Sequence, residues 1–276
     1  MTDTSKSLPY DMGNIGDLLK HGVMAEFIRW WSDINPDKNN FVFLDPFCGC
    51  PWKDCTNPVV IERLKKLGKL RNNYGQKLEI INVQSDLDNR RYYGSTYVAI
   101  RQIRSCGLLP DVCVSDRKDN LTDELTNSDN KNIRKIECEY FCPSCGYSIL
   151  KSIIKREPFA DMVLIDPFYK INKIIKITSE ISQASEKTAV VLFVLIKENN
   201  DTQKWEDICD KLNKNSIILT CPSLKGTNVC GECKYKVGVI LTSHLLTDAK
   251  ADILREKMEY YAAALSCIVK EEITCE

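Results

Sequence analysis

The stretch Met162-Val163-Leu164-Ile165-Asp166-Pro167-Phe168-Tyr169 is the most informative part of this 276-residue chain. Four consecutive apolar residues are typical of a strand that is buried on both faces of a parallel sheet. The strand is expected to end at an acid, a proline and two aromatic residues, which together offer a carboxylate, a backbone carbonyl and flat rings. An exocyclic amino group on a planar ring needs this set of groups around it. Asp166, Pro167, Phe168 and Tyr169 are therefore predicted to be catalytic residues.

A second strand end of the same kind lies far upstream, in Phe41-Val42-Phe43-Leu44-Asp45-Pro46-Phe47-Cys48-Gly49. Ligands of doubly wound sheets bind beyond the carboxyl ends of the strands. Gly49 would let the backbone approach such a ligand closely. The two strand ends together predict a methyltransferase that binds S-adenosylmethionine at Asp45, Phe47 and Gly49 and a planar amino substrate at Asp166.

The apolar runs along the chain predict the fold class. Helical or loop segments separate five strand-like runs, which is the alternation of a parallel sheet covered on both faces. Two further runs follow without a helix between them and predict a closing antiparallel pair. The seven predicted strands are Phe41–Leu44, Leu78–Val83, Val112–Ser115, Met162–Ile165, Val190–Ile196, Ser216–Thr220 and Tyr235–Thr242. The prediction is an α/β fold with a Rossmann-like, seven-stranded methyltransferase sheet, in a single domain over residues 1–276.

Two helices and one insertion complete this prediction. Asn14 is expected to open a helix that runs to about Trp31, with apolar residues every four positions. Thr247 or Asp248 is expected to cap a last helix with a three-four apolar rhythm. Residues 117–146 begin with a polar, Asp- and Asn-rich segment and end in cysteines. They are predicted to form a small cysteine-rich insertion.

Further acids and one lysine are predicted to line the cofactor site. Asp86 and Asp116 follow predicted strands, and Asp86 or Asp88 is expected to accept hydrogen bonds from ribose hydroxyls. An acid after a strand also serves as a helix cap, and for each acid alone this alternative stays open. Lys20 lies within the apolar arc of the first predicted helix, where its amine must reach water or an anion. Lys20 and the neighbouring His21 are predicted to line the cofactor or substrate pocket.

These motifs resemble, in order, those of the bacterial family that methylates an adenine N6 in large-subunit ribosomal RNA. The resemblance is carried by Gly13-Asn14-Ile15-Gly16-Asp17-Leu18-Leu19-Lys20-His21, by Asp45 to Gly49, by Asn57-Pro58 and by Asp166 to Tyr169. The three-Cys-motif partner proteins share the Asp-Pro-Phe form of the last motif and are similar as well. The resemblance implies a class I S-adenosylmethionine-dependent methyltransferase. The chain departs from the family pattern at Cys50, where a second glycine is expected, and at Phe168, which replaces a second proline.

Two cysteine pairs predict a metal site. The pairs Cys142-Pro143-Ser144-Cys145 and Cys230-Gly231-Glu232-Cys233 have the spacing of zinc knuckles and together make a four-thiolate site for structural zinc. Unrelated free thiols are the alternative. Cys138 adds a Cys-x3-Cys-x2-Cys spacing that is known from the iron–sulfur cluster of radical S-adenosylmethionine enzymes, which is a distant third hypothesis for the chain.

Composition limits the partners. The chain has 38 basic and 38 acidic residues, so overall charge does not draw it to nucleic acid. The segment from Glu62 to Arg104 nevertheless holds ten Lys or Arg against four acids, with Tyr92, Tyr93 and Tyr97 between them, which favours either a nucleic-acid surface or a solvated helix face. No apolar run is long enough for a membrane span. Fourteen cysteines without a signal-peptide core predict a cytoplasmic protein.

The leading hypothesis from the sequence is an S-adenosylmethionine-dependent methyltransferase that acts on an exocyclic amino group of a nucleobase in RNA or DNA, with adenine N6 as the target. The alternative is a non-catalytic or partner-dependent protein of the same fold, for example a component of a mobile-element or defence system. In that case Asp166 has only a structural role.

Overall fold

The computed structural model describes residues 13–55, 57–72, 74–84, 91–114, 133–135, 145–155, 160–166, 171–197, 201–225, 234–247 and 249–274. Helices and strands alternate along most of this length. The strands are β1 Asn40–Asp45, β2 Trp52–Asp54, β3 Arg91–Tyr93, β4 Leu109–Val114, β5 Ile133–Lys135, β6 Met162–Ile165, β7 Ala189–Lys197, β8 Ser216–Lys225 and β9 Lys234–Thr242. The helices are α1 Ile15–Ile34, α2 Pro58–Lys69, α3 Glu79–Val83, α4 Ser95–Ser105, α5 Cys145–Lys155, α6 Ile171–Ile175, α7 Thr178–Ala184, α8 Thr202–Leu212 and α9 Ala249–Thr274.

Seven strands form one mixed sheet in the order β5-β4-β1-β6-β7-β9-β8. The first five of these strands run parallel, and β9 lies antiparallel between β7 and β8. The predicted α/β fold with a Rossmann-like, seven-stranded sheet is therefore confirmed. The short strands β2 and β3 form a separate antiparallel ribbon.

The sheet is buried on both faces because the residues of its central strands alternate between two apolar cores. In β6, Met162 and Leu164 belong to one core, whereas Val163 and Ile165 belong to the other. Helices α1, α4 and α9 cover the first face, and α5, α7 and α8 cover the second. A run of four apolar residues is what a strand covered on both sides requires.

One predicted strand is wrong. Leu78–Val83 was predicted to be the second parallel strand, but residues 79–83 form the short helix α3. Ile80 and Val83 are buried three positions apart, which is helical spacing, and the backbone N–H of Glu79 donates to Oε1 of the buried Glu26. A short run rich in Ile and Val is ambiguous between strand and helix. The fifth parallel strand is instead β5, which lies within residues 117–146.

The first helix is buried on nearly all sides, so its polar side chains lie in the interior of the protein. Every residue from Ile15 to Ile28 is buried, including four polar side chains that must find partners inside the protein: Asp17, Lys20, His21 and Glu26. Tyr261 of α9 donates a hydrogen bond of 2.6 Å to the carbonyl of Leu18, and its ring lies against Gly22. The last helix therefore holds the beginning of α1 in place.

Gly22→Ala is expected to lower the free energy of unfolding by about 3 kcal/mol, or the melting temperature by about 6–12 °C. A Cβ at this position would lie 2.0 Å from the Tyr261 ring, so α1 and α9 must separate. Gly68→Ala in α2 is the matched control, because its nearest neighbour would be Ile81 at 3.9 Å. There the better helix propensity of alanine should add stability. Equal melting temperatures for the two variants would contradict the prediction.

Candidate active site

The first turn of α1 is organised by its own side chains. Asn14 caps the helix by accepting a hydrogen bond of 3.1 Å from the backbone N–H of Asp17. The carboxylate of Asp17 accepts the backbone N–H of Gly13 at 3.0 Å, outside the helix. The other oxygen of Asp17 accepts from Lys20 at 3.2 Å, one turn further on. The beginning of α1 is thereby a fixed platform with a carboxylate and an ammonium.

Lys20 connects this platform to the end of β6. Its Nζ donates to Asp17 and to Oδ2 of Asp166, and it lies 5.3 Å from the centre of the Phe193 ring on β7. Burial alone would lower the pKa of Lys20, but the charges of Asp166 and Asp17 outweigh burial and raise it. Lys20 is therefore a buried cation between two carboxylates.

Asp45 lies at the end of β1, fully buried beside this cluster. Its carboxylate accepts hydrogen bonds from the hydroxyl of Thr96 at 2.8 Å and from the backbone N–H of Phe47 at 3.1 Å. Burial raises the pKa of Asp45 to about 7, against the opposing effects of these hydrogen bonds and of the Lys20 charge. The negative charge of Asp166 raises the same pKa further.

The pKa of Asp45 makes a prediction for stability. The folded state keeps the Asp45 proton up to about pH 7, whereas an unfolded chain loses it near 3.8, so this group makes the protein less stable as pH rises from about 4 through 7. In Asp45→Asn, the side-chain amide still offers two polar groups to Thr96 and Phe47, but it cannot become negatively charged. The variant is expected to exceed wild type by on the order of 3 kcal/mol at pH 8 and to match it near pH 4.

Urea unfolding of the protein without ligands at these two pH values measures this effect. The exposed Asp33 offers the control Asp33→Asn, a surface substitution that is expected to change the free energy of unfolding by less than about 0.5 kcal/mol. A stability difference between Asp45→Asn and wild type that stays the same at both pH values would contradict the prediction.

Asp45 and Asp166 share one edge of the sheet. Strand β1 pairs in parallel with β6, with Phe43 opposite Met162 and Leu44 opposite Val163, so both strands end at the same side. Asp166 directly follows β6 and is half-buried. The structure thus brings together three of the residues that were singled out from the sequence, Lys20, Asp45 and Asp166, although they are far apart in the chain.

His21 lies next to this cluster and belongs to a buried hydrogen-bond network. Its Nδ1 is 3.0 Å from the Tyr92 hydroxyl, and its Nε2 is 3.2 Å from the Ser95 hydroxyl. Burial first, and then the charge of Lys20, lower the pKa of His21 to about 3. The neutral ring therefore ties α1 to β3 and to the first turn of α4, whose Thr96 holds Asp45.

The loop after β1 is shaped by Gly49. Gly49 has a φ of 59°, which favours glycine, and apart from its two chain neighbours no atom of the described residues lies within 4 Å of where its Cβ would be. Phe47 in the same loop is half-buried. Open space beside a glycine at a strand end is what the close approach of a ligand requires.

Several predicted site residues lie outside the described residues, and their roles stay predictions. These are Pro167, Phe168, Tyr169, Asp86, Asp116, Cys142, Cys230 and Cys233, together with Cys138 and the side chain of Cys145. The assignment of Asp86 loses its premise, because residues 79–83 are helical. Asp116 follows β4, the strand next to β1. Within the described ranges, no group of three or more His, Cys, Asp or Glu side chains is arranged to hold a metal ion.

Two of the three tyrosines that were singled out in the basic segment lie inside the protein. Tyr92 and Tyr93 are buried, at 0% and 4% exposure, and only Tyr97 is half-exposed. Tyr92 contributes to the His21 network, and Tyr93 to packing.

In the parts of the chain that the structure describes, no helix has the length and apolar character that crossing a membrane requires.

The sequence analysis missed Asp17, Tyr92, Ser95 and Thr96 as parts of the site. The spacing of three between Asp17 and Lys20 was the one available signal, because it places an acid and a base on one helix face. The side-chain partners Tyr92, Ser95 and Thr96 lie 51 to 74 residues from His21 and Asp45 in the chain, and no local pattern links them.

No protein-family model matches the chain, and no curated protein matches it either. Among solved structures, it is similar to protein LPL1258 from Legionella pneumophila str. Philadelphia 1, family model DUF519, at 17% identity and a TM-score of 0.63, covering 93% of this chain and 94% of that one. A weaker match is TYW2 of M. jannaschii in complex with AdoMet, at 11% identity and a TM-score of 0.38, covering 86% of this chain and 79% of that one. Another is Trm5b from Pyrococcus abyssi, at 12% identity and a TM-score of 0.36, covering 77% of this chain and 47% of that one. The Legionella protein establishes the shared fold, and the scores of the other two are too low to add to it.

Proposed function

We propose that this chain is an S-adenosylmethionine-dependent methyltransferase that acts on an exocyclic amino group of a nucleobase in RNA or DNA, with adenine N6 as the preferred target. One observation carries the proposal. The buried Asp45 and the half-buried Asp166 end two adjacent parallel strands, and Lys20 lies between Asp166 and the platform of α1. A donor site and an acceptor site at neighbouring strand ends are what a group transfer needs.

The charges of the cluster fit S-adenosylmethionine. Among the described residues, Asp17 and Asp166 share one cation, Lys20, His21 is neutral, and Asp45 adds a third carboxylate that is charged above about pH 7. The surplus of acid suits a ligand that carries a sulfonium and an ammonium group. Asp45 and the open loop at Gly49 would hold this ligand on the β1 side, where Phe47 supplies a half-buried ring.

Asp166 would hold the substrate amine. Lys20 binds its Oδ2, whereas Oδ1 has no hydrogen-bond partner among the described residues. One carboxylate oxygen is thereby fixed, and the other is left to accept an N–H of the amine. This hydrogen bond would orient the nitrogen lone pair. The predicted second acceptor is the Pro167 carbonyl, and Phe168 or Tyr169 would stack on the base.

The chemistry that bound S-adenosylmethionine supplies is transfer of its methyl group from the sulfonium sulfur to the nitrogen lone pair, with an N–C bond formed, a C–S bond broken and one N–H proton released to water. The side chains of this chain have no covalent part in that transfer. Lys20 fixes the carboxylate, Asp166 orients the amine, and the complete burial of Asp45 keeps that end of the site rigid. A target base within a duplex would first have to be flipped out.

Two measurements test this proposal. Isothermal titration at pH 8, above the pKa of Asp45, should show that S-adenosylmethionine binds to wild type and that Asp45→Asn weakens binding at least tenfold, because a charged acceptor is lost. Incubation with a labelled methyl donor and total RNA or DNA should then place label in one of the two. Absence of both binding and label would refute the proposal, whereas binding without label would favour the partner-dependent alternative.

The predicted structural zinc needs a separate test, since it concerns Cys142, Cys145, Cys230 and Cys233. Metal analysis of the purified protein is expected to give about one zinc per chain, and Cys230→Ser is expected to remove it. Iron in place of zinc would favour the radical enzyme. A protein without bound metal would leave the thiols free.

A further inference from the structure

A ladder of cations and aromatic rings lies on the ribbon of β2 and β3 and on α4. The Arg91 guanidinium lies over the Trp52 ring at 5.7 Å, and Trp52 meets Tyr97 edge-on at 5.7 Å. Tyr97 stacks on Tyr93 at 5.1 Å, and Arg101 lies over Tyr93 at 4.6 Å. We call Arg91, Trp52, Tyr97, Tyr93 and Arg101 the cation–aromatic ladder.

The ladder shares its ribbon and helix with residues that contact the candidate active site. Trp52 and Tyr93 are cross-strand partners and share one face of the ribbon, whereas Tyr92 points to the other face and meets His21. The next turn of the chain supplies Thr96, which binds Asp45. A molecule bound along the ladder would therefore lie next to the strand end that carries Asp45.

Three members of the ladder, Arg91, Trp52 and Tyr97, present polar groups that a ligand can reach. Within the described residues, Arg91 forms no ion pair, and neither the indole N–H of Trp52 nor the hydroxyl of Tyr97 has a hydrogen-bond partner. An aromatic face orients a guanidinium but does not cancel its charge. Arg91 is exposed, and Trp52 and Tyr97 are half-exposed, so these groups are accessible.

The charge of the surrounding segment favours an anionic partner. Residues 46–108 contain eleven Lys or Arg against five Asp or Glu, an excess of six in a chain whose total charge is balanced. Positive charge is thus concentrated in the segment that carries the ladder, and the rest of the chain is acidic. Rings interleaved with cations are the combination that binds single-stranded nucleic acid, whose phosphates meet the cations and whose bases meet the rings.

We propose that the cation–aromatic ladder is a docking site for a single-stranded nucleic-acid segment, next to the strand end that carries Asp45. Arg91 binds a phosphate, and Trp52 stacks on a base. This proposal rests on the proposed function only in assuming that the bound nucleic acid carries the base to be methylated. Its binding is measured without methyl transfer, so failure of the one and failure of the other are distinguishable.

Tryptophan fluorescence is a direct readout of the ladder. Three of the four tryptophans, Trp30, Trp31 and Trp205, are buried, and Trp52 is half-exposed. A mixed-sequence, single-stranded RNA of about 12 nucleotides is expected to quench the protein fluorescence in wild type and not in Trp52→Phe. The DNA oligonucleotide of the same sequence shows whether the ladder prefers RNA or DNA. A poly-glutamate peptide tests whether the ladder attracts any anionic polymer.

Affinity for the labelled RNA, measured by anisotropy at several salt concentrations, tests the roles of single residues. Trp52→Ala is expected to weaken binding about 5- to 100-fold through loss of stacking. Arg91→Gln should reduce the slope of log affinity against log salt by about 0.7, the value for one phosphate contact with a single strand. Lys257→Gln is the matched control, since Lys257 lies over the Tyr74 ring at 5.8 Å on another surface.

The expected pattern is weaker binding for Trp52→Ala and Arg91→Gln and wild-type binding for Lys257→Gln. Arg91 is exposed, so its replacement tests the proposal even if Trp52→Ala does not fold. Equal affinities for wild type and Arg91→Gln would overturn the proposal. Quenching of Trp52 by poly-glutamate as strong as by RNA would overturn it as well, because the ladder would then bind any polyanion.

Discussion

Replacing Asp166 with asparagine is expected to lower the turnover number for methyl transfer by about 10²- to 10³-fold and to leave S-adenosylmethionine affinity within about threefold of wild type. Lys20 binds one oxygen of Asp166. An asparagine has a single oxygen, which Lys20 would occupy, so its NH2 group would face the substrate amine. Two donors would then oppose each other where wild type has an acceptor and a donor.

Single-turnover transfer of labelled methyl to the substrate identified in the RNA and DNA assay measures this effect, and isothermal titration measures affinity. Asp161→Asn is the matched control. Asp161 precedes the same strand at its other end and accepts the backbone N–H of Val42 at 2.7 Å, away from the cluster. Its turnover should equal wild type. Parallel loss of affinity and turnover in Asp166→Asn would place Asp166 in the cofactor site instead.

The parts of the fold that were predicted correctly depend on long, uniform patterns. Met162–Ile165 and Val190–Ile196 are apolar throughout, and β6 and β7 lie at those positions with residues buried on both faces. The last helix also matches, since Leu254 and Met258 in its three-four rhythm are buried. Along such elements, apolar residues recur at the spacing of the buried positions, so several residues indicate the same secondary structure.

Short elements were missed because three residues do not establish a period. Strands β2, β3 and β5 have three residues each, and none was predicted. Their positions are fixed by pairing with distant strands, such as Val112 of β4 opposite Ile133. The helix α3 was mistaken for a strand for a related reason: its first N–H binds Glu26, a contact that no local pattern contains.

The candidate site was predicted from chemistry more than from contacts. Lys20 was singled out because an ammonium in an apolar arc needs an anion, and the structure supplies Asp166 from 146 residues away. The sequence around Lys20 or around Asp166 does not predict that these two residues pair. It depends on β6 lying beside β1 and under the beginning of α1, which only the assembled sheet defines.

Lys20→Met is expected to lower the free energy of unfolding by about 3–5 kcal/mol, because Asp17 and Asp166 would remain near Asp45 without a buried cation. Methionine keeps the length and apolar stem of lysine, so lost packing contributes little. Lys204→Met is the matched control. Lys204 also pairs with an acid three positions before it, Asp201, at 3.5 Å, but its side chain is 36% exposed, and a change below about 1 kcal/mol is expected.

A double-mutant cycle separates the ion pair from the other effects of Lys20. In Lys20→Met with Asp166→Asn, one of the two carboxylates that lost their cation is neutral, so the double variant is expected to be more stable than Lys20→Met alone by about 2 kcal/mol. Urea unfolding at pH 7 measures all four proteins. Additive effects of the two substitutions would mean that Lys20 and Asp166 do not stabilise each other. The carboxylate at the end of β6 would then have no fixed orientation toward a substrate amine, and its proposed role would lose its physical basis.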